Sequence, residues 1–171
     1  GFEALTKQWL RAGWQMRVPY SYSWMGFPIL QIPDDMVRAQ EVIFSLKPDL
    51  IIETGVAGGG SVVYYASLMQ LIGHGHVLGI EKGLRCRDAV EASIVSERIT
   101  LIEGDSVGPE AIAIARRIAE NKKRVMVMLD SNHSWTHVRA ELQAYAPLVP
   151  RGSYILVCAS NTADPAAPPR G

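Results

Sequence analysis

From residue 49 onward the chain alternates short apolar runs with helix-length segments, and few folds accommodate that alternation. Leu50-Ile51-Ile52, His76-Val77-Leu78-Gly79-Ile80-Glu81, Arg98-Ile99-Thr100-Leu101-Ile102, Arg124-Val125-Met126-Val127-Met128-Leu129 and Ser153-Tyr154-Ile155-Leu156-Val157 each read as a strand. A helix is predicted from Gly60-Ser61 through Tyr64, Leu68 and Leu71, stopped by Gly73 and Gly75. A second lies near Asp88 to Ile94. A third starts at Pro109, which suits a first helical turn, and carries Ile112, Ala115 and Ile118 on one face. A fourth runs from Trp135 to Tyr145 and ends before Pro147. Continuously apolar strands, each followed by a helix, specify an α/β fold with a parallel sheet covered on both faces. Right-handed crossovers then place every strand C-terminus on one edge, where such sheets bind ligands.

With 171 residues, the chain fits one domain able to bury a substantial core. Its 17 basic residues balance 17 acidic ones, so no overall field draws it to nucleic acid or an anionic membrane. A small or neutral ligand is the better expectation. No stretch approaches the ~20 apolar residues of a membrane span, and the first residues lack a signal layout. With only Cys86 and Cys158 present, a reduced, cytoplasmic protein is the default. No surface pattern fixes an oligomeric state, and a homo-oligomer stays open. Residues 1–48, with Trp9, Trp14, Trp24, Tyr20 and Tyr22, read as a helical, aromatic-rich cap on the sheet. In it, Pro33-Asp34-Asp35 opens a helix through Val42 and Leu46; the sharper reading is that some of the aromatics line a substrate pocket. Residues 49–160 form the ligand-binding unit, and the proline-containing tail 161–171 is expected to be loose.

The residues that carry chemistry sit at strand ends. Glu53 precedes a loop with Gly55, Ala57, Gly58, Gly59, Gly60 and Ser61. Glycines let backbone pass close to a ligand, and the following helix offers free N–H groups. The spacing is not the dinucleotide pattern, because Ala57 interrupts it. A carboxylate at Glu53 repels a pyrophosphate but suits a ligand with ammonium and sulfonium groups. Packing of helix against strand is the alternative explanation of the glycines. Glu81 stands where a carboxylate commonly takes two ribose hydroxyls, or is simply an exposed strand-end acid. Asp105-Ser106 either holds an adenine amino group or caps the next helix. Asp130, leaving a wholly apolar strand, calls for a partner or a function. With His133 it forms a pair suited to binding a divalent metal or removing a proton, or else a capped helix start. His137 reads as a packing or surface residue, and His74 and His76 as solvent-facing.

Together Trp24-Met25-Gly26-Phe27-Pro28-Ile29-Leu30, Pro48 through Gly55, Gly59-Gly60-Ser61, Leu129 through His133 and Ala146-Pro147-Leu148-Val149 with Gly152-Ser153-Tyr154 resemble the cephalosporin hydroxylase family, which includes rhamnosyl O-methyltransferase-like proteins. Despite its name, that family is similar to class I methyltransferases in fold and in binding S-adenosylmethionine. The resemblance implies that Glu53 and the Gly55–Ser61 loop hold the methionine end, Glu81 the ribose, and Asp105-Ser106 the adenine region. It also implies a magnesium site using Asp130 and an acidic pair ending the fifth strand. This chain departs there: Val157-Cys158-Ala159-Ser160 offers no carboxylate, so the metal is lost or held weakly through waters and substrate. The sheet also lacks the last two strands of the fold, which reads as a fragment or partial chain.

The expected activity is transfer of a methyl group from S-adenosylmethionine to a hydroxyl of a sugar or secondary metabolite. His133 is the expected base or orienting group, and Asp130 its partner or a residual metal ligand. The alternatives are a non-catalytic S-adenosylmethionine-binding homologue, a hydroxylase and an NAD-dependent dehydrogenase. Hydroxylase chemistry needs two histidines and a carboxylate around iron, a pattern not found here. Glu53 and the glycine spacing argue against a dehydrogenase.

Overall fold

The computed structural model describes residues 1–158. Its centre is a five-stranded, wholly parallel sheet of β3 (Leu50–Thr54), β4 (His76–Glu81), β5 (Ile99–Glu103), β6 (Val125–Leu129) and β7 (Ile155–Val157). The spatial order is β5-β4-β3-β6-β7. The chain moves outward in one direction from β3 to β5, then returns to the other side of β3 with β6. The order therefore reverses between β3 and β6, and a crevice opens at their C-terminal ends, where ligands bind in such sheets.

Alternation along the strands divides the core into two layers. Ile51, Val77, Met126 and Met128 face one side and pack with α3 (Gly60–Ile72) and with Ala39 and Ile43 of α2 (Pro33–Leu46). Leu50, Ile52, Leu78, Ile80, Val125, Val127 and Leu129 face the other, against α5 (Pro109–Ala119) and α6 (Trp135–Tyr145). α5 buries Ala111, Ala115 and Ala119, spaced by four, while the expected Ile112 and Ile118 are only partly buried. Alanine at each contact lets the helix lie close to the sheet. At the opposite edge, Asp49 accepts the N–H groups of Lys123 and Arg124 at 3.1 and 3.0 Å and so holds the starts of β3 and β6 together.

The N-terminal segment is only partly the packed cap that the sequence suggests. α1 (Phe2–Gln15) has no buried residue, and Phe2, Leu5 and Trp9 are exposed. The short hairpin β1 (Ser23–Trp24) and β2 (Phe27–Pro28) is attached instead by Trp24, whose ring meets Tyr64 edge-on at 4.9 Å and whose Nε1 donates to Ser67 Oγ at 3.1 Å. The short α4 (Arg87–Glu91) buries only Val90. Among the described residues no helix is long and apolar enough to cross a membrane.

Candidate functional site

A cavity of about 640 Å³ lies over the crevice between β3 and β6, in the size range of small-molecule sites. Gly55, Ala57, Ser61, Glu81, Asp105, Ser106 and Asp130 all line it, so residues far apart in sequence meet in one place. Glu53, Gly59 and His133 do not line it. Trp14 and Tyr20 reach the wall from the N-terminal segment, so two of the aromatics do face a pocket.

Glu53 lies deeper than its expected contact with a ligand's ammonium group requires. It is 1 % exposed and accepts the Ser61 hydroxyl at 2.8 Å. Burial raises its carboxyl well above the usual glutamate range, Asp130 and Glu81 push the same way, and the Ser61 bond opposes them. Its effect on the cavity passes through Ser61, which does line the wall.

The glycines answer to the protein's own backbone. Gly55 has φ +87°, and a Cβ there would lie 2.6 Å from the Asp130 carbonyl carbon and 2.7 Å from Ser131 Cα. A Cβ at Gly58 would lie 2.9 Å from Pro28 Cβ, and one at Gly60 would collide with the Pro28 carbonyl. The loop is thus sandwiched between the hairpin segment and the β6 end. Ala57 takes a left-handed conformation, φ 48°, without being glycine.

Glu81 fastens this loop to β4. Its Oε2 accepts the N–H groups of Val56 and Ala57 at 3.0 and 3.1 Å, and Oε1 accepts that of Lys82 at 2.8 Å. A carboxylate has roughly four acceptor positions, so about one stays available at the wall. Asp105 pairs with Lys82 at 2.8 Å and accepts the Val107 N–H at 3.2 Å. The Lys82 bond, then the Val107 bond, hold its carboxyl below the usual aspartate range. It does not cap α5, whose N-cap is Gly108.

Asp130 is met from behind by His133, whose Nε2 donates to Oδ1 at 3.0 Å; the His133 side chain is 8 % exposed. The helix after it starts at Ser134 as N-cap, and Asn132 Oδ1 accepts the Ser134 N–H at 2.9 Å. His137 is neither a surface nor a packing residue. It lines the cavity, with Nε2 3.1 Å from Ser106 Oγ. His76 is half-buried, its Nε2 2.8 Å from Thr100 Oγ1, and His74 meets the Lys47 carbonyl at 3.1 Å, so neither simply faces solvent. The sequence reading missed Glu141, 1 % exposed in α6. The signal was present: position 141 falls three after Val138 and four before Tyr145, so an acid interrupts an apolar stripe.

Cys158 stands at the end of β7 and lines the cavity near Asp130. Burial pushes its thiol up to about 12, with Asp130, Glu53 and Asp35 adding to the effect. Ala159 lies outside the described residues. Magnesium requires several oxygen ligands, and a protonated thiol beside one aspartate does not supply them. Among the described residues no group of three or more His, Cys, Asp or Glu side chains is arranged to hold a metal ion. The described residues of the site do not fit magnesium.

Known proteins resemble this chain in sequence and in fold. A rhamnosyl O-methyltransferase of Mycobacterium leprae (strain TN) is 34 % identical over 141 residues, covering 81 % of this chain and 60 % of that protein. An apo structure of CmcI superposes with a TM-score of 0.63 at 25 % identity, covering 81 % of this chain and 57 % of the other. A structure of CmcI with Mg and SAM has a TM-score of 0.60 at 23 % identity, covering 81 % of this chain and 57 % of that one, and attests the fold. This chain therefore spans well under two thirds of the relatives' length. The family model for rhamnosyl O-methyltransferase/CmcI matches residues 16–170, nearly the whole chain and every strand described above, so the protein belongs to that family.

Proposed function

We propose that the cavity binds S-adenosylmethionine and that the protein transfers its methyl group to a sugar hydroxyl. The observation that carries this reading is the charge of the wall. Glu81, Asp105 and Asp130 present carboxylates to it from the C-terminal ends of β4, β5 and β6. The basic residues on the wall, Arg38 and Lys82, are each engaged by a carboxylate, Glu41 and Asp105, at 2.8 Å. A ligand whose polar groups are donors suits this wall. S-adenosylmethionine offers an ammonium, a sulfonium, two ribose hydroxyls and an adenine amine against a single carboxylate, and carries no phosphate. A pyrophosphate cofactor would meet uncompensated negative charge. The CmcI structure with Mg and SAM and the rhamnosyl O-methyltransferase relative support the same reading.

Glu81 takes the ribose with its remaining acceptor capacity, Asp105 and Ser106 border the adenine, and Ser61 with the Gly55–Ala57 backbone borders the methionine end. Bound there, S-adenosylmethionine supplies an electrophilic methyl group for in-line displacement. The protein's part is to align the acceptor and to receive its proton. Asp130, which lines the cavity, receives it, while His133 orients Asp130 through its bond to Oδ1. Trp14 and Tyr20 offer aromatic surface to a sugar's apolar face. No step is routed through magnesium.

The test is methyl transfer from S-adenosylmethionine to a simple rhamnoside, with and without EDTA. Turnover that survives EDTA and is lost in Asp130→Asn is expected. Full turnover in Asp130→Asn would overturn the assignment, and full turnover in His133→Ala would remove His133 from it. A non-catalytic binding homologue is the second reading, favoured by the absence of carboxylates at 158 and 159. It predicts cofactor binding with no turnover on any acceptor.

A further inference from the structure

Glu141 is almost fully buried in α6, and one of its oxygens gathers two loops. Oε1 accepts the Ser106 hydroxyl at 2.6 Å and the Ser131 hydroxyl at 2.6 Å. Ser106 follows β5 and Ser131 follows β6, and both line the cavity, whereas Glu141 does not. Ser106 has one hydroxyl proton and gives it to Glu141. His137 Nε2, 3.1 Å from Ser106 Oγ, must therefore be the donor in that contact. The same ring nitrogen stands 3.5 Å from Glu141 Oε1. One turn further along α6, Tyr145 donates its hydroxyl to the Ser106 carbonyl at 2.6 Å.

A buried acid costs free energy unless its partners or its function compensate. The neighbouring buried positions of α6, Ala144 and Tyr145, show that this layer otherwise takes side chains without formal charge. We propose that Glu141 is a positioning residue, coupling the loop at the adenine end of the ligand to the loop that carries Asp130. The inference rests on the S-adenosylmethionine reading above. Ser131 adjoins Asp130, and the Asp130–Ser131 backbone is also what Gly55 abuts. One oxygen thus sets the Ser106 loop and, through Ser131, the wall against which the glycine loop rests. Ligand contacts at the two ends of the cavity are then interdependent, although Glu141 touches neither.

The experiment measures S-adenosylhomocysteine affinity by titration calorimetry on the full chain, for Ser106→Ala, Ser131→Ala, the double variant, and each of these in a Glu141→Ala background. With Glu141 present, the two serine substitutions are expected to depart from additivity by about threefold or more, and without it to be additive. Glu141→Gln retains an oxygen that accepts both hydroxyls and is expected to recover most of the affinity lost in Glu141→Ala. A helix-stabilising role alone would not link two serines that act through separate loops. Additive serine effects in the Glu141 background overturn the proposal, as does a Glu141→Gln variant no better than Glu141→Ala. Should Glu141→Ala fail to fold, the serine cycle with Glu141 present decides alone. Absence of binding by the unaltered protein would instead sink the cofactor reading, a separate and visible outcome.

Discussion

Two glycine-to-alanine substitutions, one in the loop before α3 and one at its C-cap, separate the conformational role of glycine from close approach. Gly55 has φ +87° and Gly73, the C-cap of α3, has φ +91°. An alanine at either pays roughly 1–2 kcal/mol for the left-handed backbone. At Gly73 nothing lies within 4 Å of the new Cβ, so the cost ends there. At Gly55 the Cβ meets the Asp130 carbonyl carbon at 2.6 Å and Ser131 Cα at 2.7 Å, both backbone atoms that cannot swing aside. Forcing such a contact costs roughly 1–3 kcal/mol more. The expected losses are therefore about 1–2 kcal/mol for Gly73→Ala and about 2–5 kcal/mol for Gly55→Ala. Against a total of about 5–15 kcal/mol, both variants should fold. Urea denaturation followed by tryptophan fluorescence gives the comparison, with slopes checked for equality. S-adenosylhomocysteine titration adds a second readout, because displacing Asp130–Ser131 weakens binding while an alanine at the far end of α3 does not. Equal midpoint losses, or equal affinities, would refute the argument that Gly55 is glycine because the β6 end leaves no room.

Glu53→Gln tests the buried carboxyl. Its folded value lies above its unfolded one, so the native state keeps a proton that the unfolded chain releases. Stability then falls as pH rises from the unfolded value through the folded one. The variant keeps an oxygen for Ser61 and cannot ionise, so its urea midpoint should vary less between about pH 5 and 8; parallel curves for both proteins would contradict this. Cys158, with its thiol pushed up to about 12, presents little thiolate. Iodoacetamide near neutral pH should leave it unmodified in the native protein and alkylate it, with Cys86, in urea. Native labelling at a free-thiol rate would show that the burial is wrong.

The strands and most helices were legible because apolar runs and punctuating residues act locally. The stretch from Trp135 to Tyr145 is helical over the whole predicted span, with Pro147 beyond its end. The sheet edge that carries Glu81, Asp105 and Asp130 followed from strand direction alone. Depth did not. Glu53 and Glu81 both end or nearly end a strand, yet one is sealed beneath Ser61 while the other grips loop backbone at the wall. Periodicity gives a face but not the distance from that face to a cavity. Glu141 itself was visible as an acid in an apolar stripe, but its partners were not: they lie in the loops after β5 and β6, and only the folded topology brings them to α6. Residues 1–48 were expected to pack as a cap, and composition alone does not show that Phe2, Leu5 and Trp9 of α1 stay exposed.

The central claim is that the acid-lined cavity takes S-adenosylmethionine rather than a pyrophosphate cofactor. Thermal unfolding of the full chain with S-adenosylmethionine, S-adenosylhomocysteine or NAD tests it most directly. A ligand at a hundred times its Kd stabilises the native state by about 2.7 kcal/mol. For a chain of this size that corresponds to a rise in Tm of roughly 5–11 °C. Such a rise with the two sulfur-containing nucleosides, in the presence of EDTA and absent with NAD, is the expected result. A rise with NAD alone, or one that appears only when magnesium is added, would contradict the claim.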